Sequence, residues 1–207
     1  MFPRFYPILD VDVAVARRLD PVSVCQAWLD AGVRLFQLRA KQMQGAAMLD
    51  LAATCARLAV PANAIFIVND RADVARLAGA AGVHLGQDDL QPADARLVLT
   101  PESMVGWSTH NDAQVRDAAS LPIDYLAIGP VFDTRSKLKP DPVVGLEGVR
   151  RAVALAGGRP VVAIGGITIE NAADVLAAGA ASVAVIGDVL HEDAGGRARG
   201  FLDRCSR

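Results

Sequence analysis

The sequence predicts an α/β fold in which eight βα units close into a single barrel. Three observations point there. Short apolar runs alternate with longer helical patterns eight times along the chain. The runs are rich in Val, Ile and Leu and mostly continuous, as strands covered on both faces are. A helix end, then Gly, then a strand recurs as LDAGVRLFQL, LAGAAGVHLG and LAAGAASVAVIG, at about two and about four units of roughly 25 residues. Strict βα alternation means a parallel sheet. Eight such units fill the 207 residues, near the lower limit of about 200 for a (β/α)8 TIM barrel. The predicted domain is therefore 1–207, one barrel, with its active site at the C-terminal strand ends. A doubly wound open sheet is the alternative. It would more often carry a Gly-rich turn after the first strand, where this chain has Asp10-Val11-Asp12.

The predicted strands are Tyr6–Leu9, Leu35–Arg39, Ile65–Asn69, Val83–Leu85, Met104–Ser108, Tyr125–Ile128, Val161–Ile164 and Val183–Ile186. Helical patterns between them include Val22–Asp30, Ala46–Ala59, Ala93–Leu99, Asp112–Ala118, Leu146–Ala156 and Ile169–Ala177. Gly32, Gly82 and Gly179 suit the position just past a helix, where the left-handed conformation is cheap only for glycine. One long irregular stretch, Pro130–Gly145 (PVFDTRSKLKPDPVVG), follows the sixth strand. Loops of that length in compact domains are usually functional or disordered. Its Thr, Arg, Ser and Lys suggest ligand contact, with a floppy insertion as the alternative.

Composition excludes several classes. The chain is 52% hydrophobic with a net charge of −2. Without a long basic run, no nucleic-acid partner is expected. The apolar runs are too short and too broken to span a bilayer, and MFPRFYPILDVDV lacks the layout of a signal peptide. A cytoplasmic protein with no membrane partner is expected. Cys25, Cys55 and Cys205 are far apart and odd in number, so they read as small apolar residues on helices, and His84, His110 and His191 form no metal-spaced pair. Of the 21 basic residues only Lys41, Lys137 and Lys139 are lysines, so a Lys at a strand end carries weight.

Listing what each strand ends on collects the chemistry. Strand 2 ends Gln37-Leu38-Arg39-Ala40-Lys41, and period-two alternation puts Gln37, Arg39 and Lys41 on one side. An amide and two cations there suit an anion, above all a diphosphate. Strand 3 ends in Asn69-Asp70 and strand 4 in Gly86-Gln87-Asp88-Asp89. Asp70 and Asp89 lie one βα unit apart, at neighbouring strand tops. Two carboxylates near two cations fit a hard ion such as Mg2+ that also takes substrate phosphate. Helix N-capping is the competing reading. It is preferred for Asp73 and Asp94, but accounts for only one of Asp88 and Asp89. On strand 5, Ser108 is a candidate ligand contact, while His110 reads as a helix-start residue. Gly165-Gly166 after strand 7 and Gly187 after strand 8 suit a phosphate site of backbone N–H groups. The mouth would then hold two anion-binding regions, suiting two phosphorylated substrates or one with phosphates at both ends.

Taken together, QLRAK, NDRADVARLAGAAGVHLGQDD, GWSTH, DYLAIGPVFDTRSK, AIGGIT and AAGAASVAVIG resemble the thiamine-phosphate synthase family over about Tyr6 to Ile186. The resemblance implies a transferase that joins 4-amino-5-hydroxymethyl-2-methylpyrimidine diphosphate to a thiazole phosphate with Mg2+, releasing diphosphate. It implies that Gln37, Arg39, Lys41 and Asn69 contact the pyrimidine diphosphate, and Ser108 matches a ligand-contacting serine. Asp70 and Asp89 match magnesium ligands. Thr134 and Ser136 match thiazole-phosphate contacts and Lys137 a diphosphate contact. Gly166 and the Ile186-Gly187 backbone match the thiazole-phosphate cradle. No protein nucleophile or base is implied, only charge stabilisation by Arg39, Lys41 and Lys137.

The chain departs from the family pattern at three places. Ala40 stands where an acid is common. Trp107 replaces a smaller apolar residue and is expected to reshape the pocket. Gly187 replaces a serine, with weakened phosphate binding expected. Three competitors remain. A thiazole tautomerase of the same fold shares Ser108-x-His110 but lacks the paired acids and QxRxK. A phosphate-binding barrel isomerase or aldolase would want a Lys or carboxylate base inside a strand. A non-catalytic phosphate-ligand sensor would have little use for the metal acids. The sequence sets neither oligomeric state, nor carboxylated against tautomeric thiazole, nor closure of the loop around Lys137.

Overall fold

The computed structural model of the 207-residue chain describes residues 2–134 and 141–206. In chain order the elements are β1 (Phe5–Asp10), α1 (Val11–Ala16), α2 (Pro21–Asp30), β2 (Leu35–Arg39), α3 (Gly45–Ala59), β3 (Ile65–Asn69), α4 (Ala72–Ala78), β4 (Gly82–Leu85) and α5 (Pro92–Val98). They continue with β5 (Met104–Thr109), α6 (Asp112–Ala118), β6 (Tyr125–Ile128), α7 (Gly145–Leu155), β7 (Val161–Ile164), α8 (Ala172–Ala177), β8 (Ser182–Val185) and α9 (Ala194–Cys205). Each strand pairs in parallel with its neighbours in sequence, and β8 returns to β1, so the barrel is closed. Closure leaves no unpaired sheet edge.

Alternation along each strand divides the core. Phe36 and Leu38 of β2 face the helices, where Phe36 stacks on Phe66 at 5.0 Å. Leu35 faces the interior beside Tyr6, Ile8, Ile67, Tyr125 and Val162. A fully buried aliphatic side chain contributes about 1.5–3 kcal/mol, so both layers hold the strand tops in place. Cys25, Cys55 and Cys205 are free and buried in the helix layer, as their spacing suggested. Contact with Cys55, then burial, pushes the Cys25 thiol far above its usual range, which keeps it inert. Among the described residues no helix is long and apolar enough to cross a membrane.

Several details differ from the sequence reading. Strand 8 is Ser182–Val185, leaving Ile186 on the loop. The helix after β7 starts at Ala172, not Ile169, because the Asn171 side chain accepts from Thr168 N at 2.8 Å and closes a turn. VDVAVA, which the sequence reading left unassigned after strand 1, is α1, because Asp10 accepts from Val13 N at 3.1 Å and caps it. α9 carries three glycines, which weaken a helical pattern; burying Ala198, Phe201 and Cys205 against the barrel compensates. Gly82 is not a helix terminator. Gly79, at φ +71°, ends α4, while Gly82 is the first residue of β4. A Cβ at Gly82 would lie 2.1 Å from Met104 O, so a close strand approach requires glycine there.

Candidate active site

The C-terminal strand ends open onto a cavity of about 500 Å3. β2 supplies Gln37 and Arg39 to its wall, β3 Asn69 and β5 Ser108. Thr134 reaches it from the β6 loop, Gly166 from the end of β7, and Ile186 and Gly187 from the end of β8. Ser136 and Lys137 lie outside the described residues. Lys41, Asp70 and Asp89 form a separate cluster at the tops of β2, β3 and β4. Lys41 therefore does not share the lining with Gln37 and Arg39, because β2 ends at Arg39.

In this cluster the Lys41 ammonium pairs with the Asp70 carboxylate. Asp89 Oδ2 accepts from Gly86 N at 2.8 Å, which folds the β4 turn back on itself. Asp70 sits at φ +63°, where the chain turns sharply out of β3, and its N–H donates to His84 O at 2.8 Å. Burial first, then contact with Asp89, pushes the Asp70 carboxyl up to about 6, with Lys41 pulling the other way. Two carboxyls in contact at neighbouring strand tops fit a hard divalent cation completed by phosphate oxygens and water. Among the described residues no three His, Cys, Asp or Glu side chains stand together, so a fully protein-made cage is not what these residues offer. The N-capping alternative fails for this pair. α5 starts at Pro92 behind Gln91, so neither Asp88 nor Asp89 caps it. Asp73 and Asp94 sit in the first turns of α4 and α5 without being the cap residues.

Arg39 has a partner the sequence reading missed. Its guanidinium pairs with Asp10, which is 1% exposed and also caps α1. Asp10 and Arg39 are register partners on adjacent strands. One carboxylate therefore orients the cation and anchors a helix.

On the opposite rim the double glycine serves the protein's own backbone. Val131 N and Phe132 N donate to Ile164 O and Gly165 O at 2.9 and 3.0 Å, laying the β6 loop on the end of β7. A Cβ on Gly165 would lie 2.6 Å from Pro130 Cα, and one on Gly166 would lie 2.5 Å from Asp133 O. Both glycines have positive φ. Asp188 accepts from Ile169 N at 3.0 Å and pairs with Arg197. Arg17 also lines the cavity, unanticipated, with Nη1 donating to Gly187 O and Leu190 O at 2.6 Å.

Two further expectations change. Trp107 does not reshape the cavity. Gly106 and Ser108 take the inward positions of β5, so Trp107 points into the helix layer and is 4% exposed. His110 precedes the cap residue Asn111, as expected of a helix start, but its ring also lines the cavity, with Nδ1 2.7 Å from Gly129 O.

The barrel interior joins Gln37 and Ser108 through Tyr6, Tyr125 and His84, which the sequence reading did not single out as site residues. Gln37 Nε2 donates to Tyr6 OH at 2.9 Å, and Tyr6 OH lies 3.0 Å from Tyr125 OH. Tyr125 OH lies 3.1 Å from His84 Nδ1, and His84 Nε2 lies 2.9 Å from Ser108 Oγ. Burial pushes both tyrosines well above their ordinary range, so they stay neutral. Ser108 and His84 resemble a nucleophile and base, but Nδ1 meets a phenol where a triad has a carboxylate. The available signal was parity, since these residues share the inward phase of Leu35 and Ile67.

Comparison with known proteins bears on this site. The family model described as thiamine monophosphate synthase matches residues 5–189. The thiamine-phosphate synthase of Koribacter versatilis is 48% identical over 190 residues, covering 91% of this chain and 89% of that protein. That of Methanoculleus marisnigri is 45% identical, covering 93% and 92%. The solved structure of thiamine phosphate pyrophosphorylase from Pyrococcus furiosus superposes with a TM-score of 0.87 at 33% identity, covering 99% of this chain and 96% of that one. A match of this extent places the chain in the thiamine monophosphate synthase family.

Proposed function

We propose that the protein condenses 4-amino-5-hydroxymethyl-2-methylpyrimidine diphosphate with 4-methyl-5-(2-phosphoethyl)thiazole, or its 2-carboxy form, giving thiamine phosphate and diphosphate. The observation that carries this reading is the division of the barrel mouth. Arg39 and the Lys41–Asp70–Asp89 cluster stand on strands 2–4, opposite a glycine-lined rim on strands 6–8. The C–O bond to diphosphate breaks and a C–N bond to the thiazole nitrogen forms. The diphosphate carries away the electron pair, so what the protein must supply is charge and alignment.

Arg39, oriented by Asp10, faces the leaving diphosphate. Asp70 and Asp89 would hold Mg2+, which would neutralise charge on that group. Lys41, the counter-charge of Asp70, supplies a second cation on the diphosphate side of the mouth. Gln37, Asn69 and Ser108 hold the pyrimidine. Thr134, Gly166, Ile186 and Gly187 receive the thiazole phosphate, with Ser136 and Lys137 completing the two phosphate sites. Asn171 and Asp188 already occupy Thr168 N–H and Ile169 N–H, so the phosphate takes amides upstream of these.

The test incubates the protein with both substrates and Mg2+ and follows diphosphate and thiamine phosphate together. Equal amounts of both, dependent on the thiazole, are expected. Diphosphate release that ignores the thiazole, or aromatisation of a carboxylated thiazole without condensation, overturns the reading.

A further inference from the structure

The polar chain through the barrel has a direction, and its direction sets what the two ends offer a ligand. Gln37 Nε2 can only donate, so Tyr6 oxygen accepts from it. Tyr6 has one proton, and the other oxygen within reach is Tyr125 OH, which therefore accepts in turn. The Tyr125 proton goes to His84 Nδ1. A neutral imidazole accepting at Nδ1 carries its proton on Nε2, and this N–H donates to Ser108 Oγ. Two groups are left over. The Gln37 amide oxygen is an acceptor at one wall of the cavity, and the Ser108 hydroxyl proton is a donor at the other.

From this geometry we infer that Tyr6, Tyr125 and His84 are positioning residues that fix the donor–acceptor polarity of the site and so select an amino-substituted pyrimidine over its oxo counterpart. An aminopyrimidine presents an amino N–H and a ring nitrogen, a donor and an acceptor. These complement the Gln37 oxygen and the Ser108 hydroxyl. The 4-oxo ring presents a carbonyl and a ring N–H, which is the opposite pattern. A site whose buried groups are committed in this way rejects the mismatched ligand more strongly than shape alone allows. The same direction makes His84 a donor to Ser108, so it cannot act as the base for that hydroxyl.

The fold is built around this chain. Gly106 of β5 is the register partner of both His84 and Tyr125. A Cβ there would lie 2.4 Å from His84 Nδ1 and 2.2 Å from Tyr125 Cζ, so glycine is what lets the two rings meet across the strand. Gln87 Nε2 donates to Ser108 O at 2.5 Å and holds the far end. Tyr6 and Tyr125 are only 1% and 0% exposed, so water does not substitute for a missing partner.

The inference deepens the proposed function and rests on it for the identity of the ligand, but its tests need no turnover. The first is 15N NMR of the native protein at neutral pH, with His84→Gln supplying the assignment. The neutral Nε2–H tautomer of His84 is expected. An Nδ1–H tautomer or an imidazolium overturns the direction. The second is calorimetric titration, with Mg2+ and without thiazole, of the aminopyrimidine diphosphate and its 4-oxo analogue. Native protein should prefer the amino form by at least about a hundredfold. Tyr125→Phe cuts the chain into two halves that can each reorient, so the preference should fall below about tenfold. A structural role alone would weaken both ligands equally. A native preference near unity, or one that Tyr125→Phe leaves unchanged, overturns the inference. Should Tyr125→Phe fail to fold, the native tautomer and the native preference still decide. Failure of the condensation assay with these results intact would overturn the proposed reaction and leave the polarity standing.

Discussion

Gly106→Ala tests how tightly the interior is built. In an ordinary strand this change stabilises by roughly 0.5–1 kcal/mol, because alanine loses less backbone entropy on folding. Here the new Cβ would lie 2.2 Å from Tyr125 Cζ and 2.4 Å from both Tyr125 OH and His84 Nδ1, against ordinary contact of at least 3.4 Å. Something has to move by more than an ångström. Tyr125 has little room, with Phe2 at 5.3 Å, His84 at 5.5 Å and Tyr6 at 6.1 Å between ring centroids. Overpacking of this kind costs about 1–3 kcal/mol. Displacing the ring also breaks hydrogen bonds to Tyr6 and His84, at about 1 kcal/mol each. The steric and polar losses together outweigh the entropic gain, leaving a net cost of about 2–4 kcal/mol. For a chain of this size that lowers the melting temperature by on the order of 10 °C. Thermal unfolding followed by circular dichroism reads this directly. A variant melting within a degree or two of native, or above it, would show that the Tyr125–His84 contact yields without cost and refute the packing argument.

The metal cluster gives a kinetic prediction. Asp70→Ala and Asp89→Ala should each lower turnover with saturating Mg2+ by about a hundredfold or more while leaving the circular dichroism spectrum native; near-native rates would refute the assignment. Asp70 also predicts a pH dependence in Mg2+-free protein. Its folded pKa of about 6 lies above the ordinary 3.8. The proton is therefore held more tightly in the folded state, and the stability this contributes is full below about 3.8 and lost as pH rises through about 6. The melting temperature of native protein minus that of Asp70→Asn should grow as pH is lowered from about 7.5 to about 4, and a flat difference would contradict it. Finally, a Cβ at Gly187 would meet nothing nearer than Arg17 Nη2 at 3.8 Å. Gly187→Ser should fit and add a hydroxyl donor to the phosphate cradle, lowering the KM for thiazole phosphate by about 2–10-fold; a raised KM would count against this location of the phosphate.

The sequence was most legible where periodicity carries the information. Leu35–Arg39, Ile65–Asn69, Tyr125–Ile128 and Val161–Ile164 match the observed strands residue for residue. Their continuity follows from burial on both faces, which a single chain displays without any knowledge of its neighbours. It fell short where a local pattern competes with a long-range contact. Val11–Ala16 received no assignment from its pattern, yet one carboxylate, Asp10, caps the segment as a helix. Gly82 resembled a helix terminator because glycine reports a need for space or for positive φ without saying which; the need came from Met104 on the neighbouring strand. Trp107 looked like a pocket residue until the phase of β5 turned it outward.

The candidate site divides along the same line. Sequence alone determined which side chains stand at the strand ends, because a (β/α)8 order sends each of those ends to one face. It thereby brought Gln37, Arg39, Asn69, Ser108 and the glycines of strands 7 and 8 to one cavity. Only the tertiary structure decided how these groups are partnered. Asp10 holds Arg39 from the adjacent strand, Lys41 stands against Asp70, and Gln37 is joined to Ser108 through Tyr6, Tyr125 and His84. Those contacts cross up to 119 residues of sequence. They depend on barrel register and on a missing side chain at Gly106, and neither leaves a periodic mark on the chain.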